Sequence, residues 1–342
     1  MNRFALANAR TIAEAASAVS ATVADAMTVA PETIGRGETA VVKAGGIDLL
    51  DLMKEGLIAP AKVVNLKAIP GLDAVTEDGS GGLAIGPMVT LAALAEHPLL
   101  RTRYPALAGA LRGSASPQIR NVATLGGNLL QRPRCWYFRS QTYRCLRKGG
   151  GHCFATNGES QYHAIFNNMP CAIVHPSTAA TVLVALGASV ELTDGAGAVR
   201  QLLLEDFFVP PERDLQRENE LRPQEILSAI RLPKPPASLR TAHLRQGEKD
   251  SFDWPLADVA VALDVAAGGT CTRAAVILGA AAPVPHRARS AEAALTGKRI
   301  DANAAAQAGR AALDGATPLA KNAYKLPLFE TLVRRAILLA VA

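Results

Sequence analysis

Aromatic residues are scarce: Phe, Trp and Tyr make up 4% of the 342 residues. Rows of stacking platforms for nucleic-acid bases are therefore not expected. An excess of one charge is lacking too. Against 30 Asp and Glu stand 36 Lys and Arg, a net +6, too weak over this length to argue for nucleic acid. No run of 18 clean apolar residues occurs; the richest stretch, Cys171–Val190, is broken by His175 and Pro176, so no membrane span is expected. Met1–Arg10 lacks the apolar core and cleavage site of a secretory leader. The expectation is a soluble chain with no export signal of its own. It would be cytoplasmic, or periplasmic if it crosses folded on a signal-bearing partner. Neither G-x-G-x-x-G nor G-x-x-x-x-G-K-[ST] occurs, which argues against Rossmann and Walker sites. No C-x2–4-C pair occurs among the five cysteines, so zinc-ribbon and zinc-finger spacing is missing.

What is present is apolar material. Hydrophobic residues are 49% and charged residues 19% of the chain, which excludes general disorder and supports a large core. The length predicts two or three domains. Helices are expected at Thr11–Val19, Leu49–Lys54, Leu91–Glu96 (with Thr90 as N-cap) and Ala106–Leu111. Strands are expected at Ala40–Val42, Val63–Leu66 and Leu83–Ile85, and Ser114–Asn121 reads as a loop. Pro210–Pro236 is rich in proline and charge and reads as the approach to a linker. Beyond about Thr241 the strands Val259–Val265 and Cys271–Leu278 precede the helices Ala288–Leu295, Ala302–Leu313 and Leu328–Val341. Strands followed by helices predict an α+β C-terminal domain.

Two double-glycine loops stand out. Val42-Lys43-Ala44-Gly45-Gly46-Ile47-Asp48-Leu49 ends a strand and opens a helix. Glycines let backbone approach a ligand closely. Successive amides and a helix N-terminus then make an anion site. Ala123-Thr124-Leu125-Gly126-Gly127-Asn128 repeats the device. Each alone is also an ordinary tight turn; together they can clamp one diphosphate from two sides.

Residues 131–171 differ from their surroundings. Cys135, Cys145, Cys153 and Cys171 are spaced x9, x7 and x17, and Arg132, Arg134, Arg139, Arg144, Arg147 and Lys148 lie among them with no acid between Gln131 and Asn157. A core of this size needs no disulfides. The spacing alone leaves an iron–sulfur cluster, a zinc ion and free thiols open, the charge favouring an anionic cluster. His152 and His163 read as ordinary loop residues, and Cys271 as a small core residue in its strand.

These residues together resemble the flavin-binding subunit of the molybdenum hydroxylases, the group of xanthine dehydrogenase, aldehyde oxidoreductase and carbon monoxide dehydrogenase. The family's A-G-G-[TI]-[DN]-L loop is similar to Ala44–Leu49. Its R-N-x-A-[TS]-[LI]-G-G-N is similar to Arg120–Asn128, its I-G-A-x-V-T to Ile85–Thr90, and its N-A-Y-K to Asn322–Lys325. The aldehyde-oxidoreductase branch, whose flavin subunit carries a cysteine-bearing insertion, resembles Gly126–Arg139 more closely through G-G-N-x-L-Q-R-x-x-C-x-Y-F-R.

The resemblance implies an α+β fold. Residues 1–235 would form a two-part FAD domain of the vanillyl-alcohol oxidase type, with an insertion at 131–171. Residues 236–342 would form a smaller domain of the CO dehydrogenase flavoprotein C-terminal type. It implies FAD contacts from Lys43, Ala44, Gly45, Gly46, Ile47, Asp48 and Leu49, and from Thr124, Leu125, Gly126, Gly127 and Asn128. It implies a [4Fe–4S] cluster on Cys135, Cys145, Cys153 and Cys171. Many relatives have Thr at Ile47, so one hydroxyl contact is missing. Thr178 stands where the branch has an Asp, and Arg245 where the family has a Lys near the flavin. The implied activity is electron transfer as one subunit of an oxidoreductase. Its partners would be a [2Fe–2S] small subunit, a molybdenum large subunit and an external acceptor, with no catalytic acid or base on this chain. The rival readings are a zinc-stabilised basic interaction module and a self-contained flavin oxidase.

Overall fold

The computed structural model describes residues 1–27, 39–249 and 252–342. Three sheets organise them. The first is parallel, with β1 (Ala5–Asn8), β2 (Ala40–Lys43) and β3 (Lys62–Asn65) in the order β1-β3-β2. Parallel neighbours need a crossover, and the helix Ile47–Lys54 supplies it between β2 and β3. Leu49, Leu52 and Met53 form that helix's buried face, against Val41 and Val63 of the strands. The second sheet is antiparallel. It holds β4 (Val75–Glu77), β5 (Leu83–Ile85), β6 (Ser189–Asp194), β7 (Val199–Leu203) and β8 (Glu225–Leu232), in the order β4-β5-β8-β6-β7. Pro210–Pro236 is thus more than a linker approach: β8 is paired on both sides. Its apolar run Glu225-Ile-Leu-Ser-Ala-Ile-Arg-Leu232 buries Ile226, Leu227, Ile230 and Leu232.

The third sheet, β9 (Leu239–Gln246), β10 (Ala257–Val265), β11 (Cys271–Gly279) and β12 (His286–Arg287), is antiparallel in the order β12-β11-β10-β9. Side chains alternate across a strand, and β10 uses both faces. Val259, Val261 and Leu263 join the core made with the helices Arg289–Leu295, Ala302–Ala311 and Lys325–Val341. Ala260 and Ala262 join the core that contains the helix Thr178–Ala185, which is buried at every position. The small residues let that helix lie close to the sheet. The C-terminal strands and helices form the expected α+β arrangement. Ser114–Asn121 contains one turn of helix, Pro117–Arg120, capped by Ser116. Among the described residues no helix is long and apolar enough to cross a membrane.

Candidate functional site: a two-loop cleft beside a cysteine cavity

The two glycine loops meet. Ala44–Gly46 follows the C-terminal end of β2, and Thr124 opens the short helix Leu125–Leu129. Both loops line one cleft of about 420 Å³, within the ~300–1,000 Å³ usual for ligand sites. Ala44, Gly45, Gly46, Ile47, Asp48, Leu49, Thr124, Gly126, Gly127, Asn128, Thr178 and Arg245 all line it. Among the described residues, Lys43 and Leu125 stand behind the wall. Lys43 turns its Nζ to the Ala44 carbonyl (3.2 Å), and burial, then Lys67, holds its pKa below the usual lysine range. Leu125 is fully buried in the core.

The glycines divide the work differently from the sequence expectation, which gives all four to the ligand. A Cβ on Gly45 would stand 2.2 Å from the Val122 carbonyl oxygen, and one on Gly126 would stand 2.6 Å from Pro87 Cβ. These two glycines let backbone meet backbone, so that the loops converge. Gly46 has φ +90 and is the N-cap of the helix Ile47–Lys54, a left-handed position that glycine takes without strain. It offers no side-chain cap, so the first-turn amides remain available to an anion in the cleft. A Cβ on Gly127 would press on Thr124 Oγ1 at 3.1 Å and meet Ala44 in ordinary contact. The Gly127 amide is held by Thr124 Oγ1 at 3.2 Å. A second helix start completes the anion-attracting wall. Ser177 caps Thr178–Ala185 through the Ala180 amide (3.0 Å) and donates its hydroxyl to Asn128 Oδ1 (2.6 Å). Thr178 thereby sits at a helix N-terminus facing the cleft, where the helix dipole favours phosphate. These bare amides and paired helix starts suit a dinucleotide's diphosphate, so the residues present fit FAD.

Asp48 is occupied by protein rather than open to a ligand. Its carboxylate accepts from the Arg132 amide (2.8 Å) and Arg139 Nη2 (2.7 Å), and pairs with Arg134 at 2.8 Å. Asp51, one turn on, pairs with Arg139 at 3.1 Å. The two acids therefore tether the cysteine segment to the helix behind the first loop. Arg245, at the end of β9, donates to the Asp253 carbonyl at 3.4 Å. The neighbouring Trp254 lies under the Arg134 guanidinium, 5.1 Å from centroid, and forms the outer wall of the cleft with Phe252.

The four cysteines gather as well. Cys135, Cys145, Cys153 and Cys171 line one small cavity, with Arg147 and His163 beside them. Burial pushes the Cys135 thiol up to about 11. A hydrogen bond from Cys171 holds Cys153 down to about 5 and pushes Cys171 well above the thiol range. His163 Nε2 lies 3.2 Å from Cys135 Sγ, and burial pushes that imidazole down to about 4. Among the described residues no group of three or more His, Cys, Asp or Glu side chains converges as one bound ion requires. The arrangement by itself supports neither a zinc ion nor a cluster. The long x17 interval has a tertiary cause. After Cys153 the chain leaves the cavity, bonds Ile165 N to the Ala281 carbonyl (2.8 Å), and returns through Ala164 N to the Ala172 carbonyl (2.9 Å).

Asn322 and Lys325 hold that excursion in place. Asn322 Nδ2 donates to the His163 and Ala164 carbonyls (both 3.1 Å), and Lys325 Nζ donates to those of His163 (3.0 Å) and Ala280 (2.8 Å). Lys325 is fully buried, and burial pushes it down to about 7. The unfolded chain, with a normal lysine near 10.4, then binds more protons between about pH 7 and 10. Stability from this group rises with pH across that window and is lost as pH falls towards 7. Lys325→Met should flatten that part of the profile, as read by urea denaturation at stepped pH.

Comparison with known proteins decides the family. The FAD-binding domain of molybdopterin dehydrogenases matches residues 4–235, and the CO dehydrogenase flavoprotein C-terminal domain matches residues 242–340. The chain belongs to the FAD-binding medium subunits of the molybdenum hydroxylases. The FAD-binding subunit PaoB of an Escherichia coli K12 aldehyde oxidoreductase is 35% identical over 83% of this chain and 86% of its own length. The carbon monoxide dehydrogenase medium chain of Afipia carboxidovorans is 30% identical, over 83% and 79%. A carbon monoxide dehydrogenase structure from Hydrogenophaga pseudoflava superposes with a TM-score of 0.74 at 25% identity, covering 99% of this chain and 98% of that one.

In this medium subunit, one wall of the cleft escaped sequence reasoning. Arg217–Asn219 and Leu221–Leu227 line it in part, with Gln224 at φ +64. The apolar alternation of Glu225–Leu232 was the available signal. Glu218 carried none: its partners, Arg132 and Arg147, are more than 70 residues away in sequence.

Proposed function

We propose that this subunit carries electrons within a heteromeric molybdenum hydroxylase. A large partner would oxidise an aldehyde or N-heterocycle at molybdenum, taking oxygen from water. A small partner's [2Fe–2S] clusters would pass the electrons on to this subunit, which would release them to an external acceptor. FAD, when bound, supplies a centre that exchanges one or two electrons. The chain's residues would bind and orient it: the amides at Gly46–Asp48 and the Thr178 helix start would hold its diphosphate, with Arg245 and Trp254 on the outer side. Residues 1–235 would be the flavin domain and 236–342 the closing domain. The insertion 131–171 would hold a [4Fe–4S] cluster on Cys135, Cys145, Cys153 and Cys171. Four cysteines lining one cavity supply the number of thiolates such a cluster needs. The complex would work in the cytoplasm, or in the periplasm after co-export with a signal-bearing partner.

The observation that carries this reading is the convergence of both glycine loops on one cleft. The test is anaerobic mixing of an aldehyde with the complex and with this subunit alone. Flavin bleaching in the complex only is expected. Turnover of aldehyde by the subunit alone would instead make it a self-contained oxidase, and a colourless zinc-containing protein would make it an interaction module.

A further inference from the structure

A buried ionic bridge joins the cysteine cavity to the flavin cleft. Arg147 lines the cavity, and its side chain is 0% exposed. Its Nη1 donates to Glu218 Oε1, which also accepts from Arg132 Nη2 at 2.8 Å. Arg132 is 2% exposed, and with Glu218 it lines the cleft. Two guanidiniums share one carboxylate, so the bridge keeps one uncompensated positive charge. Arginine does not shed its proton. Arg132 Nε and Nη1 are buried without hydrogen-bond partners, and Arg147 turns its remaining donors towards Cys171. Lys148 adds a second buried cation nearby, its Nζ donating to the backbone carbonyls of Tyr137 and Ser140. Buried cations with spare donors call for an anion. On the cavity side the groups at hand are four sulfurs, with Cys171 beside the Arg147 guanidinium. Cationic charge and hydrogen bonds to sulfur are levers that raise a cluster's potential.

We propose that Arg147 is a positioning residue that supplies the counter-charge of the thiolate-held centre, and that Arg132, held to it through the shared Glu218, places positive charge beside the flavin. The inference rests on the four cysteines holding an iron–sulfur cluster. Each added electron is a negative charge, and the bridge lies in a dry, low-dielectric path where charges act strongly. Arg147 weights the cluster end and Arg132 the flavin end.

The test is an anaerobic redox titration of the complex co-purified with its partners, with iron and flavin quantified in each sample. The cluster is followed by the low-temperature EPR signal that Cys171→Ala lacks, and the flavin by absorbance. Arg147→Gln should shift the cluster equilibrium at least tenfold towards the oxidised form, about 59 mV for one electron. Arg147→Lys, which keeps the charge, should restore most of it, and Arg132→Gln should move the flavin more than the cluster. A cluster potential unmoved in Arg147→Gln, or moved equally in Arg147→Lys, would overturn the proposal while leaving the cluster in place. If Arg147→Gln loses its iron, Arg132→Gln decides: an unmoved flavin rejects the bridge. A wild-type subunit with flavin but no iron would overturn both the cluster reading and the bridge.

Discussion

Gly45→Val should strip the subunit of its flavin. The first atom of any side chain at Gly45 meets the Val122 carbonyl oxygen at 2.2 Å, and that oxygen is backbone with nowhere to retreat. Valine adds two methyl groups to the same clash. The loop Ala44–Gly46 must then move off the loop Val122–Ala123, which displaces the Gly46 helix start whose amides would meet the diphosphate. Forced overpacking of this kind costs about 3 kcal/mol, which corresponds to ~100-fold in affinity. Flavin content after gel filtration should fall accordingly, while the far-UV spectrum stays close to that of the parent. Gly109→Ala is the control. A Cβ there meets nothing within 4 Å, and in the helix Pro105–Gly113 alanine should stabilise by about 0.5–1 kcal/mol. That variant should keep its flavin.

The second large effect is expected at Cys171. With the proposed cluster in place, replacing Cys171 with alanine should reduce bound iron from about four atoms per chain to under one and bleach the cluster absorbance, with flavin largely retained. Cys171 is 5% exposed and shares its cavity with the other three cysteines of the segment. Cys271→Ala should leave iron unchanged, because that thiol is buried in β11 and turns to the Arg273 carbonyl at 3.3 Å. Equal iron in Cys171→Ala and the parent would remove Cys171 from the ligand set.

Much of the fold was legible because short-range signals coincide with the elements. Thr90 caps Leu91–Glu96 as its side chain predicts, accepting from the Ala93 amide at 3.2 Å. The strand, double-glycine turn and helix around Gly45-Gly46 appear in the expected order. The cleft was legible only in part. Its two glycine loops carry local patterns. Trp254 and Glu218 reach it through tertiary folding, and neither has a sequence neighbour that announces the site. The pairing of Asp48 and Asp51 with Arg134 and Arg139 lay in between. The two acids are three residues apart, which puts them on one helix face, and the cation-rich segment is the obvious partner in hindsight. The cysteine spacing carried little by itself, because the docking of Ile165 on Ala281 consumes most of the x17 interval.

The most direct test of the account is chemical analysis of the purified subunit, still bound to its partners and then separated from them under anaerobic, non-denaturing conditions. Flavin, iron and acid-labile sulfide are counted per chain. About one FAD is expected, with about four iron and four sulfide atoms, and loss of the flavin alone in Gly45→Val. A subunit that carries no flavin would contradict this expectation.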